Sequence, residues 1–325
     1  MKNPYLENKF FADHFKSDTV KLSFGDWNNV FRRELIRLLS EDYVVHDDDL
    51  ENLHLVISKK LFDYSMEKGV NPLTIKFYDT DDGFLKIYYD FLRALKTELG
   101  FDFYFQATPT IRFHAPDVKN EFHYPIFHSD PIVYGHPPQE INVWLSLTEN
   151  KHSGFYMVNR EDSENWFAEY DFDIDKFKND ASDARDINDE FNKKGFGLSK
   201  EVESDINCVY LFDSLCIHTN KPRKEETRIS IDVRINPVDQ FVSGYIGLGN
   251  MKADFKPGGD FGYHEYSIGE LIFTCSARQV QPNLPEAIHK PLHFRIILTF
   301  VPFLNIVSRS TASSPSSTSS FLSES

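Results

Sequence analysis

The chain has 325 residues, a formal net charge of −15 at pH 7, 41% apolar residues and 15% aromatic ones. That length suits one large domain or two ordinary ones, with enough apolar side chains to fill a core. The acidic balance excludes a broad phosphate-binding face and adsorption to an anionic membrane, so neither nucleic acid nor a lipid surface is expected as a partner. A small anionic substrate stays admissible, because one local Arg overrides the mean field.

The three cysteines, Cys208, Cys216 and Cys275, are odd in number and match no zinc spacing. Met1 to Asn8 lacks the apolar stretch of a signal peptide. The thiols therefore read as reduced in a cytoplasmic protein, with Cys208 and Cys216, in apolar strand-like runs, as packing residues.

Residues 1–100 read as mostly helical. Val30 to Leu39 carry apolar residues at helical spacing, and Asp48 or Asp49 opens a second helix through Leu53, Val56, Ile57 and Leu61. A third follows Asp79 to Asp82, with Phe84, Ile87, Tyr88, Phe91, Leu92, Leu95 and Leu99 on one face and Gly100 as its stop. At residue 101 the period changes to two. Phe101–Thr108, Thr110–His114, Phe122–Tyr134, Glu140–Leu147 and Gly154–Val158 read as antiparallel strands.

Residues 160–205 are dense in Asp and Glu, interleaved with Trp166, Phe167, Tyr170, Phe172, Phe177 and Phe191. No calcium-loop spacing is present. The segment reads as a solvated insertion with short helices, or as a lid over a pocket mouth. Strands resume at Ile206–Asp213. The clearest strand is Thr227–Asn236, with Ile229, Ile231, Val233 and Ile235 on one face and Arg228, Ser230, Asp232 and Arg234 on the other. Such a strand suits a barrel with a polar interior and an exterior covered by helices.

Residues 243–266 are rich in Gly and aromatics and read as loops. Phe294–Val307 is apolar but shorter than the roughly 20 residues that a spanning helix needs, and Ser308–Ser325 reads as disordered. The expected organisation is thus 1–100 helical, 101–290 a β core with an acidic insertion at 160–205, and 291–325 a tail.

The chemistry centres on Phe127-His128-Ser129-Asp130. On a strand, residues two apart share a face, so His128 and Asp130 aim at one point. His218 is the best third ligand. Two His and one carboxylate form the facial triad of non-haem iron, with open positions opposite. His123 and His136 compete as ligands, though His123 falls on the other face and His136 in a turn. Ten residues after His218 comes Arg228-Ile229-Ser230. Arg is a rigid two-pronged donor matched to a carboxylate, and Ser230 adds a third hydrogen bond. Glu140, Asn142, Trp144 and Ser146 share one face of their strand, which puts Asn142 and Trp144 near a ligand if that face is the inner one. Arg112, Tyr124 and Arg234 are further candidates for contact with an anionic group.

His128-x-Asp130, His218 and Arg228-x-Ser230 together resemble the Fe(II)/2-oxoglutarate-dependent oxygenases. Tyr134-Gly135-His136-Pro137-Pro138-Gln139-Glu140-Ile141-Asn142-Val143-Trp144-Leu145-Ser146-Leu147-Thr148 looks like the streptomycin-biosynthesis-type branch of secondary metabolism. The resemblance covers about residues 101–240. It implies a mainly β fold with flanking helices, a double-stranded β-helix (jelly-roll, cupin-like) barrel with the N-terminal helices packed on it. It implies Fe(II) held by His128, Asp130 and His218, and 2-oxoglutarate paired with Arg228 and Ser230. O2 is then consumed as 2-oxoglutarate goes to succinate and CO2, and a substrate C–H bond is hydroxylated, desaturated or closed into a ring. Halogenating relatives lack the carboxylate, so Asp130 argues against halogenation. The expected partner is a small molecule, amino-acid-derived or another secondary metabolite. A ligand-binding barrel without turnover, a cupin-like metal enzyme that does not use 2-oxoglutarate and a protein hydroxylase are the alternatives. Substrate identity and oligomeric state are not written in these motifs.

Overall fold

The strand with the cleanest alternation organises the molecule. In the computed structural model it is β9 (Arg228–Pro237), and it is flanked on both sides. The structure describes residues 3–237 apart from 66–69, 79, 107, 117, 119–124, 150–153 and 222–224. His123, Tyr124, the Gly-rich segment 243–266 and the tail lie outside the described residues.

The other strands are β1 (Thr19–Leu22), β2 (Phe103–Phe105), β3 (Thr110–His114), β4 (Ile141–Ser146), β5 (Gly154–Met157), β6 (Lys200–Glu203), β7 (Val209–Asp213) and β8 (His218–Asn220). They form two antiparallel sheets. The larger runs β1-β7-β4-β9-β2, with β3 also on β9, and the smaller runs β6-β5-β8. A single bridge between His128 and His218 adds one more position to the smaller sheet. From β3 onward the chain passes back and forth between the sheets, which is the jelly-roll arrangement.

The helices are α1 (Pro4–Glu7), α2 (Phe10–Phe15), α3 (Trp27–Leu39), α4 (Leu53–Val56), α5 (Pro72–Lys76), α6 (Asp82–Leu99), α7 (Arg160–Ala168), α8 (Ile174–Asp183) and α9 (Glu190–Leu198). Helix α6 has the expected signals: the Asp81 side chain accepts from Phe84 N at 2.9 Å, and Gly100 ends it at φ 74°. Its buried face, Phe84, Tyr88, Phe91, Leu92 and Leu95, joins α3's Phe31, Leu35, Leu38 and Leu39 in one cluster. Ile111, Phe113, Ile141, Val143, Leu145, Ile229, Ile231, Val233 and Ile235 belong to the same cluster. The apolar face of the larger sheet is therefore its outer face, and helices cover it. Directly opposed residues share a face, and Arg112–Ser230, Trp144–Asp232 and Asn142–Arg234 are opposed pairs. Those residues line the inner face. Between the sheets, Trp144, Tyr210 and Phe212 meet Phe155 and Met157.

Several expectations need correction. Residues 125–134, the described part of the stretch 122–134, are not a strand: after the one bridge at His128 the chain turns into a wide helical turn over Asp130–Tyr134. Pro131 removes the backbone donor that a continuing strand would need. The helix expected through Leu61 breaks into a 3-10 turn (Asp47–Asn52), α4 and a second 3-10 turn (Lys59–Leu61). The N-terminal hundred residues also contribute β1, which pairs with β7 at the edge of the larger sheet. The acidic segment forms α7, α8, α9 and β6, and it buries Trp166, Phe167 and Phe177 beside Phe127 and Ile132. Among the described residues no helix is long and apolar enough to cross a membrane.

Candidate metal centre

Three elements deliver three potential ligands. His128 comes from the bridge, Asp130 from the first position of the helical turn, and His218 from the first position of β8. One ligand atom from each lies within 4.8 Å of the others. The imidazole rings are 4.6 Å apart, and His128 Nε2 is 3.7 Å from Asp130 Oδ1. Although no strand continues through residue 130, Ser129 is extended (φ −109°, ψ 129°), so His128 and Asp130 still leave the chain on one side.

The protonation pattern follows from the hydrogen bonds. His128 Nδ1 sits 3.1 Å from Pro125 O, and His218 Nδ1 sits 2.9 Å from Cys216 O. A ring nitrogen facing a carbonyl carries the proton, which leaves Nε2 of both rings as a lone pair. Burial disfavours the charged imidazole and, with His218 alongside, pushes His128 down to about 3. Burial also lowers His218, with Asp130 pulling the other way.

Asp130 is fully buried. Burial alone would raise its carboxyl, but Arg234 and the surrounding imidazoles outweigh it and hold the group well below the usual carboxylate range. Its Oδ2 accepts from Asn142 Nδ2 at 3.0 Å, and Arg234 Nη2 lies at 3.5 Å. Its Oδ1 is buried and accepts no hydrogen bond among the described residues. A buried anionic oxygen without a donor is costly. Here it adjoins two imidazole lone pairs. This donor set of two nitrogens and one oxygen fits a divalent first-row cation.

A second group, Asp130, His136 and Glu140, is equally close. Arg234 decides its character. Its Nε lies 3.5 Å from Glu140 Oε1 and its Nη2 3.5 Å from Asp130 Oδ2, while His136 Nδ1 is 3.1 Å from Glu140 Oε1. The guanidinium already supplies the positive charge between the two carboxylates, which makes this group an ion-paired cluster beside the triad.

Arg228 is buried on the inner face. It donates to Gly154 O and to Asn220 Oδ1, and its guanidinium stacks 6.0 Å from the Trp144 ring. Ser230 Oγ donates to Asp232 Oδ1 at 3.3 Å, and Arg112 pairs with Asp232. Trp144 packs edge-on against Phe155 and Tyr210. The inner face thus collects Asn142, Trp144, Arg228 and Ser230. Asn142 reaches Asp130, whereas Arg228 reaches across to Gly154 and Asn220 of the smaller sheet and Ser230 bonds Asp232 on its own strand.

Sequence reasoning undervalued three residues. His136 lies just past the helical turn, and its ring faces Glu140. Tyr134 has its ring 5.2 Å from that of His128 and is 45% exposed, so it stands on the solvent side of the triad. Gly195 lies against Phe127, and only its lack of a side chain, in a helix, could have signalled a close approach.

No family model matches the chain, and no curated protein matches it. Solved structures do. EctD from S. alaskensis aligns over 74% of this chain and 81% of its own, at 13% identity and a TM-score of 0.38. The non-haem α-ketoglutarate-dependent epimerase SnoN from nogalamycin biosynthesis aligns over 80% and 95%, at 12% identity and a TM-score of 0.40. AviO1 from Streptomyces viridochromogenes Tue57 aligns over 70% and 93%, at 12% identity and a TM-score of 0.39. These likenesses are distant, and the chemistry assigned below rests on the side chains of this chain.

Proposed function

We propose that the chain is an Fe(II)- and 2-oxoglutarate-dependent dioxygenase that oxidises a C–H bond of a small molecule. The observation that carries this is the orphaned Asp130 Oδ1 beside two imidazoles whose Nδ1 protons are committed to carbonyls. His128, Asp130 and His218 would hold the iron, which supplies O2 activation coupled to conversion of 2-oxoglutarate to succinate and CO2. Arg228, with Ser230 one step along the same face, would bind the far carboxylate of 2-oxoglutarate. Its planar fork is matched to a carboxylate, and its burial makes that contact selective. Trp144 shields the guanidinium from water. Asp130 fills the corner that a halide would otherwise take, so oxidation rather than halogenation is the outcome. The substrate is proposed to be an amino-acid-derived or other secondary metabolite, handled in the cytoplasm.

Anaerobic titration with Fe(II) and then 2-oxoglutarate tests the site, through the visible charge-transfer band of the chelate. A screen for O2-dependent succinate release then tests turnover. A chelate band without succinate, across amines and amino acids, would favour a ligand-binding barrel; no band would remove the iron assignment itself.

A further inference from the structure

An octahedral ion with three protein ligands keeps three positions open. The keto-acid end of 2-oxoglutarate needs two of them and O2 the third. A carboxylate that coordinates through both oxygens takes two positions by itself. Were Asp130 to do so, the co-substrate could bind only by leaving nothing for O2, or could not chelate fully. Whatever limits Asp130 to one oxygen therefore controls the reaction.

Asp130 Oδ2 is already engaged. Asn142 Nδ2 donates to it at 3.0 Å, and Arg234 Nη2 lies 3.5 Å away. The two donors come from opposed positions on neighbouring strands, Asn142 on β4 and Arg234 on β9. Strand β4 is itself paired on both sides, with β7 and β9, so the Asn142 backbone is fixed. The amide presents its NH2 end to this carboxylate oxygen. Oδ1, by contrast, accepts no hydrogen bond among the described residues. We propose that Asn142, with Arg234 beside it, is a positioning residue that withholds Asp130 Oδ2 from the metal and so keeps a coordination position free for the co-substrate and O2. This rests on the iron assignment made above.

The test uses the full-length protein without O2, loaded first with Co(II) and then titrated with 2-oxoglutarate. Asn142→Leu is the main variant. Asn142→Ala, which also lacks a donor but adds no bulk, decides the matter if the Leu variant does not fold. The expected result is Co(II) affinity within about threefold of wild type and 2-oxoglutarate affinity down at least roughly tenfold. Asn142→Ser, which restores a donor, should recover part of that loss. A residue that only orients the ligand would instead cost about 10–100-fold in metal affinity and leave the loaded protein's affinity for 2-oxoglutarate unchanged. That pattern, or native binding of both by the donor-less variants, overturns the inference. Failure of the wild-type protein to bind Co(II) or Fe(II) is a different result, which removes the iron assignment and this inference with it.

Discussion

His128 and His218 exchange both backbone hydrogen bonds across a single bridge, His128 N to His218 O at 3.1 Å and His218 N to His128 O at 2.9 Å. Two ligands far apart in sequence are thereby fixed to each other by main chain rather than by side-chain contacts. Removing a ligand side chain should leave that frame intact. His218→Ala or Asp130→Ala should therefore fold, lose metal retention and lose turnover together. Calorimetric melting with and without metal checks this. At metal 100 times above its dissociation constant the wild-type protein gains about 2.7 kcal/mol, and neither variant should gain any. A variant with full activity would remove that residue from the triad.

Arg228 bears on the co-substrate rather than on the metal. Truncating one partner of a buried, hydrogen-bonded charge pair costs about 2–5 kcal/mol. Arg228→Ala should therefore raise the KM for 2-oxoglutarate by roughly 30-fold or more, with Fe(II) affinity unchanged. Arg228→Lys should recover little, since a point charge cannot reproduce the planar fork. Unchanged kinetics with 2-oxoglutarate would point to a metal enzyme that does not use this co-substrate.

The features legible in the sequence were those with local periodicity. The alternation of Ile229, Ile231, Val233 and Ile235 located β9 and predicted which face helices would cover. The stripe from Phe84 to Leu95 located α6. The wide turn after His128 was hidden, because Asp130-Pro131 fits both a strand end and a helix start. β1 was hidden because four residues with a mixed pattern become a strand only by pairing with β7, whose partner Phe212 lies far along the chain. In residues 160–205 the density of acids masked the spacing of Trp166, Phe167 and Phe177, which pack inward. The bond between Asn142 and Asp130 depends on tertiary placement, and no sequence periodicity encodes it.

Glu51 ties the N-terminal part to the strands that carry the site. It takes both arms of Arg32, at 2.6 and 2.9 Å, and accepts from Glu149 N at 2.7 Å, while its own carbonyl accepts from Thr227 N, next to Arg228. Burial would raise its carboxyl, but the hydrogen bonds from Arg32 and Glu149 N together with the Arg32 charge outweigh this and lower it from the ordinary carboxylate value. A carboxylate with a lowered folded value stabilises fully above its unfolded value, and that stability is lost as pH falls through the folded one. Glu51→Gln should cost about 1.5–3 kcal/mol at pH 7. The gap in denaturant midpoint should narrow as pH falls through the lowered folded value, where wild-type Glu51 is itself protonated. A gap independent of pH would mean that the charge contributes nothing.

Gly195 and Gly197 make a matched pair on α9. A Cβ at Gly195 would stand 2.6 Å from Phe127 Cγ, whereas one at Gly197 would meet nothing within 4 Å. Phe127 is fully buried between the Phe196 and Trp166 rings, so it cannot swing away without repacking, and the next residue is His128. Gly195→Ala should thus destabilise by about 1–3 kcal/mol through overpacking, and it should weaken metal binding by moving His128 off its carbonyl anchor. Gly197→Ala should stabilise by about 0.5–1 kcal/mol, since Ala loses less backbone freedom than Gly in a helix, with metal affinity unchanged. Parallel denaturant unfolding and Co(II) titrations separate the two effects. If Gly195→Ala lowered stability yet bound metal as tightly as wild type, α9 would support the fold without positioning the site. If both substitutions behaved alike, the contact with Phe127 would not be the cause of either.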